Sequence, residues 1–226
     1  MFRSTRRPVV FPQAEHARMA GAIAAAWRAE AVPLPFDSFV RGVTLHDRGY
    51  GELDGDELGV VSAERWAEIQ LRGFRARSGD AVTDLVVALH IRRLIGDDTH
   101  PARVALAAEI DGELPRLRDE AGAAEEHART ADAVTELCDR IAFAFCFEEA
   151  ASGTVGGIAY DCDGTGRTTL DPWPLAVPQL RGVVVGFEAD GYPGRLEPVV
   201  ALFAVEPVSA ARRRRASRAS QAGARE

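Results

Sequence analysis

Lysine is missing from this chain: all 27 basic residues are arginine, a bias to which we attach no mechanistic meaning. Cysteine is scarce as well. Cys138, Cys146 and Cys162 form no CxxC pair, and three widely spaced thiols suit neither a disulfide framework nor a thiolate zinc site. A reducing, cytoplasmic setting is expected. No stretch reaches the ~18 uncharged apolar residues that a membrane helix needs, so no membrane partner is expected. Arg3, Arg6 and Arg7 ahead of the apolar run from Met19 to Trp27, with Ala29-Glu30-Ala31 after it, mimic a cleavable leader. Glu15, His16 and Arg18 break the apolar region just ahead of Met19, and Pro8 and Pro12 sit where a leader would run smoothly, which argues against one. No internal repeat occurs.

What is present is the composition of a folded protein. With 46% hydrophobic and 27% charged residues over 226 positions, the chain can form one domain with a substantial core, or a domain and a small appendage. The net charge is −7, and residues 212–226 hold six Arg and one Glu, so the rest of the chain is more acidic still. Such a body repels nucleic acid. Arg212 to Arg215, set among Ala, Ser and Gly, has no apolar period to bury. Residues 209–226 therefore read as a disordered, solvated Arg-rich tail; contact with nucleic acid or an anionic surface is the lesser reading and is confined to it.

Helical spacing dominates the first 150 residues. Met19, Ile23 and Trp27 within the Ala-rich stretch from Gln13 mark a first helix, and His16 lies near the same stripe. After the proline-marked AVPLP, Asp37 is expected to cap a second helix whose face is Phe36, Val40 and Val43, running into LHDRGYGELD until Gly49 and Gly51 stop it. A third helix is expected from Ser62 to about Arg77 around Trp66, Ile69 and Phe74. A fourth follows the break at Ser78-Gly79-Asp80, with Val82, Leu85, Val86 and Leu89 inward and His90 beside them. A polar fifth covers Arg103 to Leu117. The sixth, from Ala131 to about Glu148, is apolar nearly all round, as a central buried helix is, and Asp139 interrupts it. Beyond Ala150, Gly- and Pro-rich segments separate VGGIAY, GRTTL, GVVVGFEA and PVVALFAVEP, which read as strands. The expected architecture is mainly α: a helical bundle over 10–150, a small β-strand appendage over 151–208, and the tail.

The chemistry centres on adjacent His46 and Asp47. On a helix they point about 100° apart, and both can reach an ion lying beside the seam between their directions. An imidazole nitrogen with a carboxylate oxygen suits Zn, Mn, Fe or Ni, and a stable site takes further ligands from other helices. His16, His90 and Asp139 are the candidates, because each sits on the apolar face or core of its own helix, where an unpaired polar side chain is costly. A shared cation satisfies all of them. Taken singly, each has an ordinary explanation: a hydrogen-bonded histidine, a carboxylate ending a helix for Asp47, or an ion pair of Asp139 with Arg140 or Arg93. His100 and His127 read as solvent-facing. Two motif-like runs are set aside. DCDGTGRTTLD has Gly164 at the fourth position of a calcium loop and Pro172 where the bidentate Glu belongs, so Asp161 and Asp163 read as a hairpin turn. GTVGG lacks the strand-to-helix context of a phosphate loop.

The ordered set H…HD…H…D over these helices resembles the HD-domain superfamily of metal-dependent phosphohydrolases. More closely, QAEHARMAGAIAAAW, LHDRGYGELD, VTDLVVALHIRRL, LCDRIAFAFCFEE and TLDPWPL resemble, over residues 10 to about 180, an uncharacterised bacterial family, a domain of unknown function that is distantly HD-like. Where that family commonly has an Asn-Gly-Trp-like sequence after the HD pair, this chain has Arg48-Gly49-Tyr50. The resemblance implies an HD-like bundle with one or two divalent transition ions, His16, His46, Asp47 and Asp139 as primary ligands, and His90 as a second-metal ligand or an anion contact. It also implies hydrolysis of a phosphate ester of a nucleotide or another small phosphorylated metabolite. Catalytic roles then fall on Asp47, Arg48 and His90, with Arg92 and Arg93 as further contacts to phosphoryl oxygens. Two other uses of the same helices stay open: a di-iron oxygenase with His90 as the extra ligand, and a non-catalytic module that binds a small anion, which the changed HDRGY sequence favours.

Overall fold

Two short strands open the chain, β1 (Phe2–Arg3) and β2 (Val9–Phe11). Six helices follow: α1 (Gln13–Ala25), α2 (Phe36–Thr44), α3 (Ala63–Arg75), α4 (Ala81–Ile95), α5 (Pro101–Glu120) and α6 (Glu125–Phe147). Five strands complete the order: β3 (Ala150–Val155), β4 (Ile158–Asp163), β5 (Arg167–Asp171), β6 (Leu180–Glu188) and β7 (Pro198–Pro207). This computed structural model describes residues 1–209, so the expected tail from residue 210 onward lies outside the described residues.

Local chemistry explains the helix starts. Ser62 accepts from the Arg65 N–H (3.2 Å), and Asp80 accepts from the N–H groups of Val82 and Thr83 (2.9 and 3.1 Å), which satisfies donors that a first turn leaves free. Pro101 opens α5, where a missing N–H costs nothing. The second helix departs from expectation at both ends. It begins at Phe36 behind Pro35, with Asp37 inside the first turn and not at the cap, and it ends at Thr44. His46 and Asp47 therefore lie beyond the helix, in the turn that leads into a 3₁₀ turn over Arg48–Tyr50.

The expectation of a mainly α, HD-like helical bundle with a small strand region is overturned. The protein is mixed, 47% helical and 21% strand, and it is not all-helical: its strands form a curled, mixed, seven-stranded half-barrel. The strand order is β1-β2-β6-β7-β5-β4-β3, antiparallel throughout except for β5 and β7, where Arg167 lies opposite Ala204. The physical reason lies mostly at the N-terminus. β1 and β2 are two and three residues long, and β2 is buried at every position, so neither can display the alternation that marks a strand. Yet β2 pairs with β6, Val9 opposite Glu188 and Val10 opposite Phe187, and residues ahead of α1 thereby extend the sheet built after α6.

The sheet packs directly on the helices. Along β7, Ala201, Phe203 and Val205 face inward while Val200 and Leu202 face outward, the period of two of a half-covered strand. The inward side chains share one core with α1 and α6 that includes Phe11, Ile23, Leu137, Ile141 and Leu170. A second core, formed by α3, α4 and α5, contains Phe74, Leu85, Ile91, Ile110 and Leu117. Asp163 ends β4 by accepting from the N–H groups of Thr165 (2.7 Å) and Arg167 (3.1 Å), which makes the turn into β5. The crossing of α2 and α4 is very close: a Cβ at Gly42 would sit 2.6 Å from the Val86 Cβ. No helix among the described residues is long and apolar enough to cross a membrane.

Candidate metal centre

Four elements deliver side chains to one buried point. His16 comes from the first turns of α1, His46 and Asp47 from the turn after α2, His90 from α4 and Asp139 from α6. Their exposures are 1%, 1%, 7%, 1% and 8%, so they are largely withdrawn from bulk water and rely on one another or on a bound group.

The spacing fits an ion. His16 Nε2 and His46 Nε2 are 3.2 Å apart, with Asp47 Oδ2 at 3.7 Å from the first and 3.4 Å from the second. Two ligands at the usual zinc bond lengths in a tetrahedron are separated by about 3.3 Å. His16, His46 and Asp47 are thus placed to hold one metal ion. Asp139 Oδ1 adjoins the same atoms, 2.9 Å from His16 Nε2 and 3.6 Å from His46 Nε2.

Hydrogen bonds on the far side of each ring decide which nitrogen is available. His46 Nδ1 is 2.6 Å from the Val43 carbonyl oxygen. A carbonyl only accepts, so Nδ1 carries hydrogen and Nε2 is left as the ligand atom. The helix end itself therefore orients His46. His90 is arranged the other way: its Nδ1 is 3.1 Å from Nη2 of Arg93, and a guanidinium only donates, so Nδ1 accepts and Nε2 carries the hydrogen in the neutral ring. That Nε2 has no hydrogen-bond partner and points toward Asp47 Oδ1 at 3.6 Å. Phe2 of β1 stacks on His16 with ring centroids 4.6 Å apart, so the first strand of the sheet braces a candidate ligand.

Without an ion, the cluster is strongly coupled. Burial pushes His46 down, but the charges of Asp47 and Asp139 outweigh it and raise the imidazole to about 10. Burial pushes Asp47 and Asp139 up, and the histidines outweigh it and hold both carboxyls well below their usual range. His90 is lowered by burial and by the neighbouring His46 charge.

Of the residues singled out in the sequence, His16, His46, Asp47, His90 and Asp139 come together and Arg48 does not. Arg48, expected to contact phosphoryl oxygens, is held by other partners: its Nε donates to the Gly73 carbonyl (2.7 Å) and its Nη1 to Asp84 (3.0 Å), which ties it to α3 and α4. Arg92 pairs with Asp111 at the surface (2.8 Å) and Arg140 with Glu136 (2.8 Å). Arg93 alone reaches the cluster, 3.6 Å from Asp139 Oδ2, with its other side on Asp132. His100 caps α5 and His127 sits beside Glu126, both away from the cluster.

A pocket of about 170 Å³ opens beside His16, Asp47, His90 and Asp139. Its other walls include residues that sequence reasoning passed over, among them Gln13, Gln70 and Arg103. Gln13 was within reach, since it precedes His16 by three positions on one helix face. Gln70 shares the buried stripe of Trp66 and Phe74, where a polar residue stands out. Nothing in the sequence around Arg103 marks it.

No curated protein and no solved structure matches the chain. A family described as "Protein of unknown function (DUF3891)" matches residues 2–186, and nothing in that match connects the chain with HD-domain phosphohydrolases. The matched segment takes in β1, β2, all six helices and the whole His–Asp cluster, and the chain therefore belongs to the DUF3891 family.

Proposed function

We propose that this chain is a metal-dependent hydrolase acting on a phosphate ester of a nucleotide or another small phosphorylated metabolite. The observation that supports it is convergence: His16, His46, Asp47 and Asp139, spread over more than half the chain, meet at one buried point next to a pocket. His16, His46 and Asp47 would hold the ion, with Asp139 completing the donor set. Nitrogen and oxygen donors of this kind suit Mn, Zn, Fe or Ni. A divalent ion held there supplies Lewis acidity and brings the pKa of water from 15.7 toward about 7. Asp47 would orient that water. His90 offers its Nε2–H to an anionic oxygen, and Arg93 holds the tautomer that makes this possible.

That tautomer favours one ion with His90 as an anion contact over two ions with His90 as a ligand, so the di-iron oxygenase reading has less support. The test is phosphate release by protein loaded with Mn or Zn, over a panel of phosphomonoesters and diesters. Turnover of at least one member, abolished in His46→Ala, is expected. Tight metal binding without turnover of any member would refute the hydrolase and leave an anion-binding module.

A further inference from the structure

Eight buried side-chain nitrogen or oxygen atoms have no hydrogen-bond partner among the described residues, and five of them belong to residues lining the single pocket beside the cluster. Two are on the histidines already described. The others are Gln13 Oε1, Gln70 Nε2 and Arg103 Nε. Gln13 and Gln70 are each 2% exposed and both line that pocket, and an unmet buried polar group is costly wherever it occurs. Their concentration in one place points to a molecule that meets them there.

The chemistry of that molecule follows from what is unmet. Gln13 Oε1 calls for a donor and Arg103 Nε for an acceptor, and Gln70 Nε2, close to the Tyr50 hydroxyl of the same wall, has no acceptor at hydrogen-bond distance; an exchange of O and N in Gln13 would turn its need into one for an acceptor. A hydroxyl group meets either need. Arg103 is held rigidly, its Nη1 on Asp98 at 2.6 Å and its guanidinium 4.6 Å over the Trp66 ring, so its Nε–H is fixed in direction. Phe2, Leu58, Leu94 and Phe143 supply apolar wall for a carbon skeleton. At about 170 Å³ the space is below the roughly 300 Å³ at which pockets begin to bury drug-sized ligands, which favours a small ligand over a whole nucleotide.

We propose that Gln13, Gln70 and Arg103 form a specificity wall for a small phosphorylated polyol or sugar, binding its hydroxyl groups while its phosphate end faces the His–Asp cluster. The placement of the phosphate rests on the hydrolase reading above; the hydroxyl recognition does not. The test uses the full chain loaded with Mn and a three-carbon polyol phosphonate, which binds without being hydrolysed, titrated by calorimetry. Gln13→Met and Gln70→Met keep side-chain volume and remove the amide. Each is expected to weaken phosphonate binding about tenfold or more with metal content unchanged, and the deoxy analogue and a nucleoside phosphonate are expected to bind wild type about tenfold more weakly or worse.

Undiminished binding in both variants, a preference for the nucleoside, or no binding at all would overturn the proposal. Phosphonate binding that depends on both glutamines, without hydrolysis of any matching phosphate ester, would uphold the wall and sink the hydrolase. Hydrolysis of esters regardless of hydroxyl content, unaffected by either variant, would do the reverse.

Discussion

The close crossing of α2 and α4 can be probed by making one substitution at two helical glycines. A Cβ at Gly42 would lie 2.6 Å from the Val86 Cβ and 3.0 and 3.1 Å from its methyl carbons. Carbon atoms rest at about 3.5–4.0 Å, so Gly42→Ala forces the helices apart by roughly 1 Å. Overpacking of this kind costs about 1–3 kcal/mol, whereas replacing a helical glycine by alanine stabilises by about 0.5–1 kcal/mol. The clash outweighs the gain, and a net loss of up to about 2.5 kcal/mol is expected, or a fall in Tm of a few degrees for a chain of this size. At Gly112 of α5 a Cβ would meet nothing within 4 Å, and Gly112→Ala should instead raise Tm. Differential scanning calorimetry reads both. His46 and Asp47 lie just beyond α2, so displacing that helix moves them against His16 on α1 and Asp139 on α6, and Gly42→Ala should weaken metal binding too, because coordination distances tolerate only about 0.2 Å. A Gly42→Ala protein as stable as the Gly112→Ala protein, with wild-type metal affinity, would refute the reasoning.

Other outcomes follow from the same geometry. In metal-free protein the raised value of His46, about 10, contributes stability that is fully present below the unfolded value near 6.5 and declines to nothing as pH rises through the folded one. Tm of metal-free wild type should therefore fall between pH 7 and 10, and His46→Ala should flatten that fall. His90→Ala should keep its metal and lose about a hundredfold or more in phosphoester turnover, as loss of one aimed donor does; loss of metal instead would restore His90 as a ligand. Arg48→Met breaks a buried pair with Asp84, which retains only the Ser78 N–H at 2.9 Å, and should cost about 3 kcal/mol in denaturant titration while the folded fraction still binds metal.

Periodicity made the helices readable because their buried stripes are long. Trp66, Ile69 and Phe74 on α3 and Leu137 and Ile141 on α6 are buried as their spacing suggests. The sheet was less legible. Its C-terminal runs could be seen one by one, but β2 is three buried residues, and no local pattern says that it pairs with a strand some 180 positions later. The HD pair was recognisable as a chelating dipeptide, yet its placement beyond α2 was hidden, since helix ends are decided by capping contacts such as His46 Nδ1 on Val43 and not by composition. Arg48 shows the limit of adjacency: the residue next to Asp47 turns away because Asp84, far along the chain, accepts its guanidinium.

Metal content is the most direct test of a shared coordination point. Protein purified without added ions, then analysed by inductively coupled plasma mass spectrometry, should carry about one transition ion per chain in wild type and in His90→Ala, and close to none in His46→Ala. Wild-type protein that neither retains an ion nor takes up Zn, Mn or Fe on reloading, or a His46→Ala protein that binds as much as wild type, would contradict it.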